Sequence, residues 1–209
     1  MSENTIIKEL NTFKVSEIIE TIESKKLIIF DMDGTIFNSE KLHFIATNKL
    51  LNGFEFKEDD IYGIADIDIY NLAKSYFSGT FDEFLNQKNI YMVEMLKDFD
   101  KEYLMFKDYN LLFEELKMQD RSLALVTASE YEVAHAMLNY CEIHHHFSQI
   151  ITTREVTQTK PHPEPYLLAL SNANIDSKNA VVFEDSQTGI ASANAARIDT
   201  VKVNWYENK

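Results

Sequence analysis

The sequence is short of cysteine, proline and positive charge, and each shortage excludes something. Cys141 is the only cysteine. A lone thiol cannot close an internal disulfide, so a reducing compartment is expected. Cys141 ends an apolar helical pattern and reads as a packed residue rather than a nucleophile. Lys and Arg number 20 against 34 Asp and Glu, a net charge of −14. A chain so acidic does not suit nucleic acid, whose phosphates need cations, or an anionic membrane surface. No apolar run is long enough to span a bilayer. The first residues, MSENTIIKELNTF, lack the basic start and apolar stretch of a signal peptide, so a cytoplasmic location is expected. All three prolines fall between residues 161 and 165. That clustering marks one unusual loop.

Apolar residues make up 45% of the 209 positions, enough for one core domain with a modest insertion. Ile7, Leu10, Val15, Ile18, Ile19 and Ile22 predict a helix over residues 5–24, set on a helical N-terminal extension spanning 1–25. LIIF at 27–30 reads as a buried strand. Helical stripes follow, one through Ile69, Leu72, Ala73, Tyr76 and Phe77. Another runs through Phe84, Leu85, Lys88, Met92, Met95, Leu96 and Phe99, broken only by Lys88. Beyond these the pattern alternates: helix 109–119, strand 122–126, helix 130–140, strand near 149–151, helix 164–174, strand 180–183, helix 188–196, strand 199–203.

Short apolar strands alternating with helices indicate an α/β fold, a Rossmann-like parallel sheet with helices on both faces. The all-helical stretch at 40–107 interrupts it and reads as an inserted cap, leaving 26–39 and 108–209 as the core. Ligands of such sheets bind beyond the carboxyl ends of the strands. Reactive residues stand there: Asp31, Asp33 and Gly34 after LIIF; Thr127, Ala128 and Ser129 after SLALV; Glu184 and Asp185 after AVVF; and Lys160 ahead of helix 164–174.

Asp31 and Asp33, two residues apart on extended chain, point the same way. They fit a nucleophile beside an acid/base, or equally a polar turn around Gly34. Glu184 and Asp185 add carboxylates that repel the first pair unless a cation intervenes. Oxygen ligands alone suit Mg²⁺. Asp185 or Ser186 also reads as a helix cap. Pro161 keeps Lys160 out of helical angles, and the stiff KPHPEP loop lowers the entropy cost of binding an anion. Thr127 offers a hydroxyl and a backbone amide to phosphate near a helix N-terminus. His144, His145 and His146 read as surface residues, because neighbouring side chains diverge.

DMDGT at 31–35, Thr127 after a strand, Lys160 in KPHP and EDSQTG at 184–189 together resemble the four motifs of haloacid dehalogenase superfamily phosphatases, in order. The likeness covers residues 26–203. It is nearest the branch with a small helical cap, which holds phosphoglycolate phosphatase-like and β-phosphoglucomutase-like enzymes. The resemblance implies a phosphoric monoester hydrolase acting on a small-molecule phosphate ester through an aspartyl-phosphate on Asp31. Asp33 would be the acid/base. Mg²⁺ would be held by Asp31, the Asp33 main-chain carbonyl and Asp185, with Glu184 assisting. Gly34, Thr127, Ala128, Ser129 and Lys160 would bind the phosphoryl group, and a monomer is expected. Three positions depart from the branch: Asn38 stands where Asp is usual, Lys107-Asp108 where Pro-Gly is usual, and Ala196-Arg197-Ile198 where a glycine is usual.

The alternatives are a sugar-phosphate mutase and a phosphate-binding module without turnover. A mutase cap supplies a base, commonly Arg, for a second phosphate. The region 40–107 has no arginine, and Asp66 and Asp68 stand where that base is wanted. Lys74 or Lys88 would have to substitute.

Overall fold

The computed structural model describes residues 6–205. Its six strands are β1 (Ile6–Leu10), β2 (Leu27–Phe30), β3 (Ser122–Val126), β4 (Gln149–Ile151), β5 (Ala180–Glu184) and β6 (Asp199–Val203). They form one sheet in the order β1-β6-β5-β2-β3-β4, and every pairing is parallel. The α-helices are α1 (Val15–Thr21), α2 (Glu40–Leu50), α3 (Glu58–Ile61), α4 (Asp66–Ala73), α5 (Phe81–Met95), α6 (Lys101–Leu104), α7 (Tyr109–Met118), α8 (Tyr131–Tyr140), α9 (Glu164–Ala173) and α10 (Gln187–Ala195).

The central strands are apolar on both faces because helices cover both faces. All four residues of LIIF in β2 are buried. Ile28 and Phe30 join a cluster with Phe113, Leu116, Met137 and Leu138; Leu27 and Ile29 join another with Tyr166, Ala169 and Ala193. Burying one such side chain is worth about 1.5–3 kcal/mol. Between β2 and β3 come α2 to α6, with an apolar cluster of their own built from Leu50, Phe56, Ile61, Ile69, Ala73, Phe77 and Phe84. The two connections to these helices run side by side: the Asn38 amide donates to the Leu104 carbonyl at 2.7 Å, and the Phe106 amide to the Ile36 carbonyl at 3.0 Å. The Asn38 side chain donates to the Tyr103 carbonyl at 3.4 Å, a bond that an ionised aspartate cannot make.

The expected helix over 5–24, and with it the wholly helical N-terminal extension, needs correction. Ile6–Leu10 is a strand, and only Val15–Thr21 is helical; residues 1–5 lie outside the described chain. β6 offers an edge of unpaired backbone groups, and β1 takes it in parallel register, with Leu10 opposite Val203. In β1 Ile7 and Glu9 face solvent while Leu10 is buried, an alternation of two. Six apolar residues spread over twenty positions blur that alternation into a helical stripe. The first cap stripe also divides: Ile69, Ala73 and Phe77 are buried, whereas Leu72 and Tyr76 are exposed.

Candidate active site

β5, β2 and β3 lie side by side, so whatever follows them meets at one point. Asp31 follows β2, and its amide donates to the Phe183 carbonyl at 3.0 Å. Glu184 closes β5, and Thr127 follows β3. Gly34 turns the chain back with φ +78°, a conformation that side chains disfavour. A Cβ there would also lie 2.0 Å from Asp185 Oδ2.

Lys160 reaches into this point from the loop before α9. Its ammonium donates to Asp31 Oδ1 at 2.6 Å, to Glu184 Oε1 at 2.6 Å and to the Val126 carbonyl at 2.9 Å. Pro165, the second residue of α9, closes the stiff segment. Burial works to lower the lysine's pKa, but the charges of Asp31 and then Glu184 outweigh it and raise it well above the ordinary value. Sequence reasoning missed Tyr166, whose hydroxyl donates to Glu184 Oε1 at 2.9 Å. Ser186 supplies two more donors to Glu184 Oε2, its amide at 3.1 Å and its hydroxyl at 3.0 Å. The Ser186 hydroxyl also caps α10, accepting from the Gly189 amide at 3.0 Å.

Carboxylate oxygens of Asp31, Glu184 and Asp185 lie within 4.8 Å of one another. Burial, then the charge of Glu184, pushes the Asp31 carboxyl well above the usual range, against the pull of Lys160. Burial, again followed by Glu184, pushes Asp185 up to about 7. Crowded buried acids of this kind ionise together only beside positive charge. One lysine is not enough for three of them. The all-oxygen donor set fits a hard divalent cation.

Asp33 is handled differently. The Ser39 hydroxyl donates to Oδ1 at 2.5 Å and the Ser129 hydroxyl to Oδ2 at 2.6 Å, while His43 Nε2 stands 3.5 Å from Oδ1. Burial works to raise this carboxyl, but His43, then Ser129 and Ser39, hold it down at about 2. Ser39 and His43 went unnoticed in the sequence. Both stand at or near the start of α2, where only the fold brings them over Asp33. Behind His43 lies Lys88, its ammonium 3.3 Å from Nδ1 and ion-paired to Asp66. An ammonium only donates, so Nδ1 accepts and the imidazole proton sits on Nε2, toward Asp33.

The expected part of Thr127 needs one correction. Its amide donates to the Ile151 carbonyl at 2.9 Å within the sheet, so only the hydroxyl remains to offer. That hydroxyl accepts from the Ser129 amide at 3.0 Å. The reading of the histidine run is corrected at His146, which is buried, with Nε2 3.7 Å from Glu114. His145 is exposed as expected, and the half-buried His144 meets His135 at 3.1 Å.

Residues 28–203 match the family model described as haloacid dehalogenase-like hydrolase. Among curated proteins, the chain is similar to pyrophosphatase PpaX of Bacillus pumilus, 28% identical over 186 residues, covering 85% of this chain and 82% of that one. It is also similar to the fructose-1-phosphate phosphatase YqaB of Escherichia coli, 27% identical over 187 residues, covering 84% and 95%. Its fold matches CbbY from Rhodobacter sphaeroides, solved in complex with phosphate, with a TM-score of 0.74 at 21% identity, covering 87% and 86%.

Proposed function

Since the chain belongs to the haloacid dehalogenase-like hydrolase family, we propose that it is a phosphatase that hydrolyses small phosphate monoesters through a covalent intermediate on Asp31. The observation that carries this reading is the Lys160 ammonium between Asp31 and Glu184, 2.6 Å from each. A carboxylate held beside a fixed cation at a strand end approaches an anionic phosphoryl group with its own repulsion reduced. The relative YqaB, named a fructose-1-phosphate phosphatase, supports the same class, and PpaX, named a pyrophosphatase, supports phosphoryl hydrolysis more broadly.

In the first step an Asp31 oxygen bonds phosphorus as the bond to the leaving oxygen breaks. Asp33, ionised in the free site, takes up a proton from solvent before the cap closes, gives it to that oxygen, then takes one from the water that attacks the phospho-Asp31 phosphorus. Inorganic phosphate leaves and Asp31 is restored. Lys160, the Thr127 hydroxyl and the Ala128 amide would hold the phosphoryl oxygens, since this chemistry needs mostly positioning and charge neutralisation. The expected backbone donors of Ser129 and Gly34 are taken, by the Thr127 hydroxyl at 3.0 Å and the Phe37 carbonyl at 2.8 Å. Asp31, Asp185 and the Asp33 main-chain carbonyl would hold Mg²⁺, which supplies positive charge to the phosphoryl oxygens. Glu184 shares the acidic group, but its oxygens already accept from Lys160, Tyr166 and Ser186. We assign it to fixing Lys160 and lending charge. Helices α2 to α6 would act as the cap that shuts out bulk water over this point.

The test is phosphate release from p-nitrophenyl phosphate and a panel of small esters, with Mg²⁺ and with EDTA, for the wild type and Asp31→Asn. Release that needs Mg²⁺ and disappears in Asp31→Asn supports the reading. Release that survives the substitution removes Asp31 as nucleophile, and no release from any ester in a folded protein removes the phosphatase.

A further inference from the structure

The wall that α2, α4 and α5 turn toward Asp33 holds one buried cation, and it is already spoken for. Lys88 sits on α5 with its side chain 1% exposed. It breaks an otherwise apolar stripe, and its ammonium points inward to His43 Nδ1, which leads on to Asp33. Left alone, such a cation would be the anchor for a second anionic group on a substrate. It is not left alone: Asp66, the first residue of α4, pairs with it. Glu40 adds another carboxylate to the same wall. It accepts from the Gly63 amide at 3.3 Å and stands near His43, Asp33 and Lys88.

The remaining cations of this segment face away. Lys41, Lys49, Lys57, Lys74, Lys97, Lys101 and Lys107 are all exposed. Lys41 and Lys49 lie over the rings of Tyr103 and Tyr91, and Lys101 pairs with Glu142 outside the cap. Two carboxylates, Glu40 and Asp66, thus stand against one neutralised lysine where the leaving group must lie.

We infer that the Asp66–Lys88 pair sets substrate class. The enzyme takes monoesters whose leaving group is uncharged and hydroxylated, a polyol or sugar, and rejects those whose leaving group carries a second anion, such as phosphoglycolate, a bisphosphate or pyrophosphate. Carboxylate oxygens accept hydrogen bonds from hydroxyls, so Glu40 and Asp66 favour the first group and repel the second. The inference rests on the phosphatase reading above and sharpens it. Asp66 and Lys88 are specificity residues here; neither takes part in bond breaking.

The experiment compares kcat and KM for glycerol 2-phosphate and fructose 1-phosphate with those for phosphoglycolate and pyrophosphate, using p-nitrophenyl phosphate as a common reference. The wild type is expected to favour the polyol esters by at least tenfold in kcat/KM. Asp66→Asn releases the Lys88 ammonium, and the gap should narrow about tenfold, through a lower KM for phosphoglycolate rather than a higher kcat. Lys88→Met, which removes the cation with its partner's role, should bring no such gain. A general loosening of the cap would move both variants alike. The wild-type ratios test the inference even where a variant fails to fold. A wild type that cleaves phosphoglycolate or pyrophosphate as well as the polyol esters overturns the inference and leaves the phosphatase standing. Failure to cleave even p-nitrophenyl phosphate overturns both.

Discussion

The Lys160 ammonium lies 2.6 Å from the Asp31 carboxylate, with the lysine side chain 4% and the aspartate side chain 11% exposed. A bond so buried matters to stability before it matters to catalysis. Removing the cation leaves Asp31 and the fully buried Glu184 facing one another without compensation. Lys160→Ala is therefore expected to cost about 3–5 kcal/mol, read as a fall in the urea midpoint. The deficit should depend on pH with a definite sign. Without Lys160 the Asp31 carboxyl, which burial and then the charge of Glu184 already push above its unfolded value, rises further. A raised folded pKa withdraws stability between the unfolded and the folded value. Wild type and variant share that loss until pH reaches the wild type's own raised Asp31 value, well above 3.8, so the variant's deficit should be smallest in acid and grow as pH climbs through that value. A deficit that stayed flat as pH climbed would remove the charge argument.

Gly189 tests the other anchor of Lys160. It is the third residue of α10, and a Cβ there would fall 1.7 Å from Glu184 Oε1. Glu184 cannot swing aside without breaking its bonds to Lys160, Tyr166 and Ser186. Gly189→Ala should cost about 1–3 kcal/mol from overpacking and lower phosphate release at least tenfold. Unchanged turnover in the folded variant would show that Lys160 does not need Glu184 to hold its place.

What the sequence made legible was whatever strands and motifs carry together. A run such as LIIF has one use in an α/β chain, buried in a sheet covered on both faces, and the acids after it then fall at the strand ends without further information. Ser39, His43 and Tyr166 were not legible as site residues, because Ser39 and His43 reach Asp33 from the start of α2 and Tyr166 reaches Glu184 from α9, and nothing local in the sequence points to those contacts. Lys88 showed only as a flaw in an apolar stripe. Its meaning depends on Asp66, twenty-two positions earlier, and no local pattern links the two. The N-terminal strand was hidden because five residues are too few to tell a period of 2 from one of 3.6.

Helix ends were hidden for a different reason, and it yields a prediction. Helices commonly close with a left-handed glycine just past the last turn. Here α7, α8, α9 and α10 close with Asp120, Glu142, Asn174 and Arg197, at φ 54°, 62°, 52° and 59°. Each makes the same pair of bonds. In α10 the Arg197 amide donates to the Asn194 carbonyl at 3.0 Å, and the Ile198 amide to the Ala193 carbonyl at 3.1 Å; in α8 Glu142 and Ile143 do the same to Asn139 and Leu138 at 3.1 and 2.9 Å. The turn is fixed by burying the next residue, Ile198 or Ile143, each 0% exposed. So the backbone holds its shape, and the side chain bears the strain. Left-handed conformation costs a residue with a Cβ about 1–2 kcal/mol, and part of that is returned by the lost freedom of a glycine in the unfolded chain. Glu142→Gly and Arg197→Gly are each expected to stabilise the protein by about 0.5–1 kcal/mol. Glu142 gives up only an exposed ion pair with Lys101, which is worth little. The two sites share no partner, so their gains in urea midpoint should add. A loss at either site would mean that the replaced side chain does more there than fill a turn.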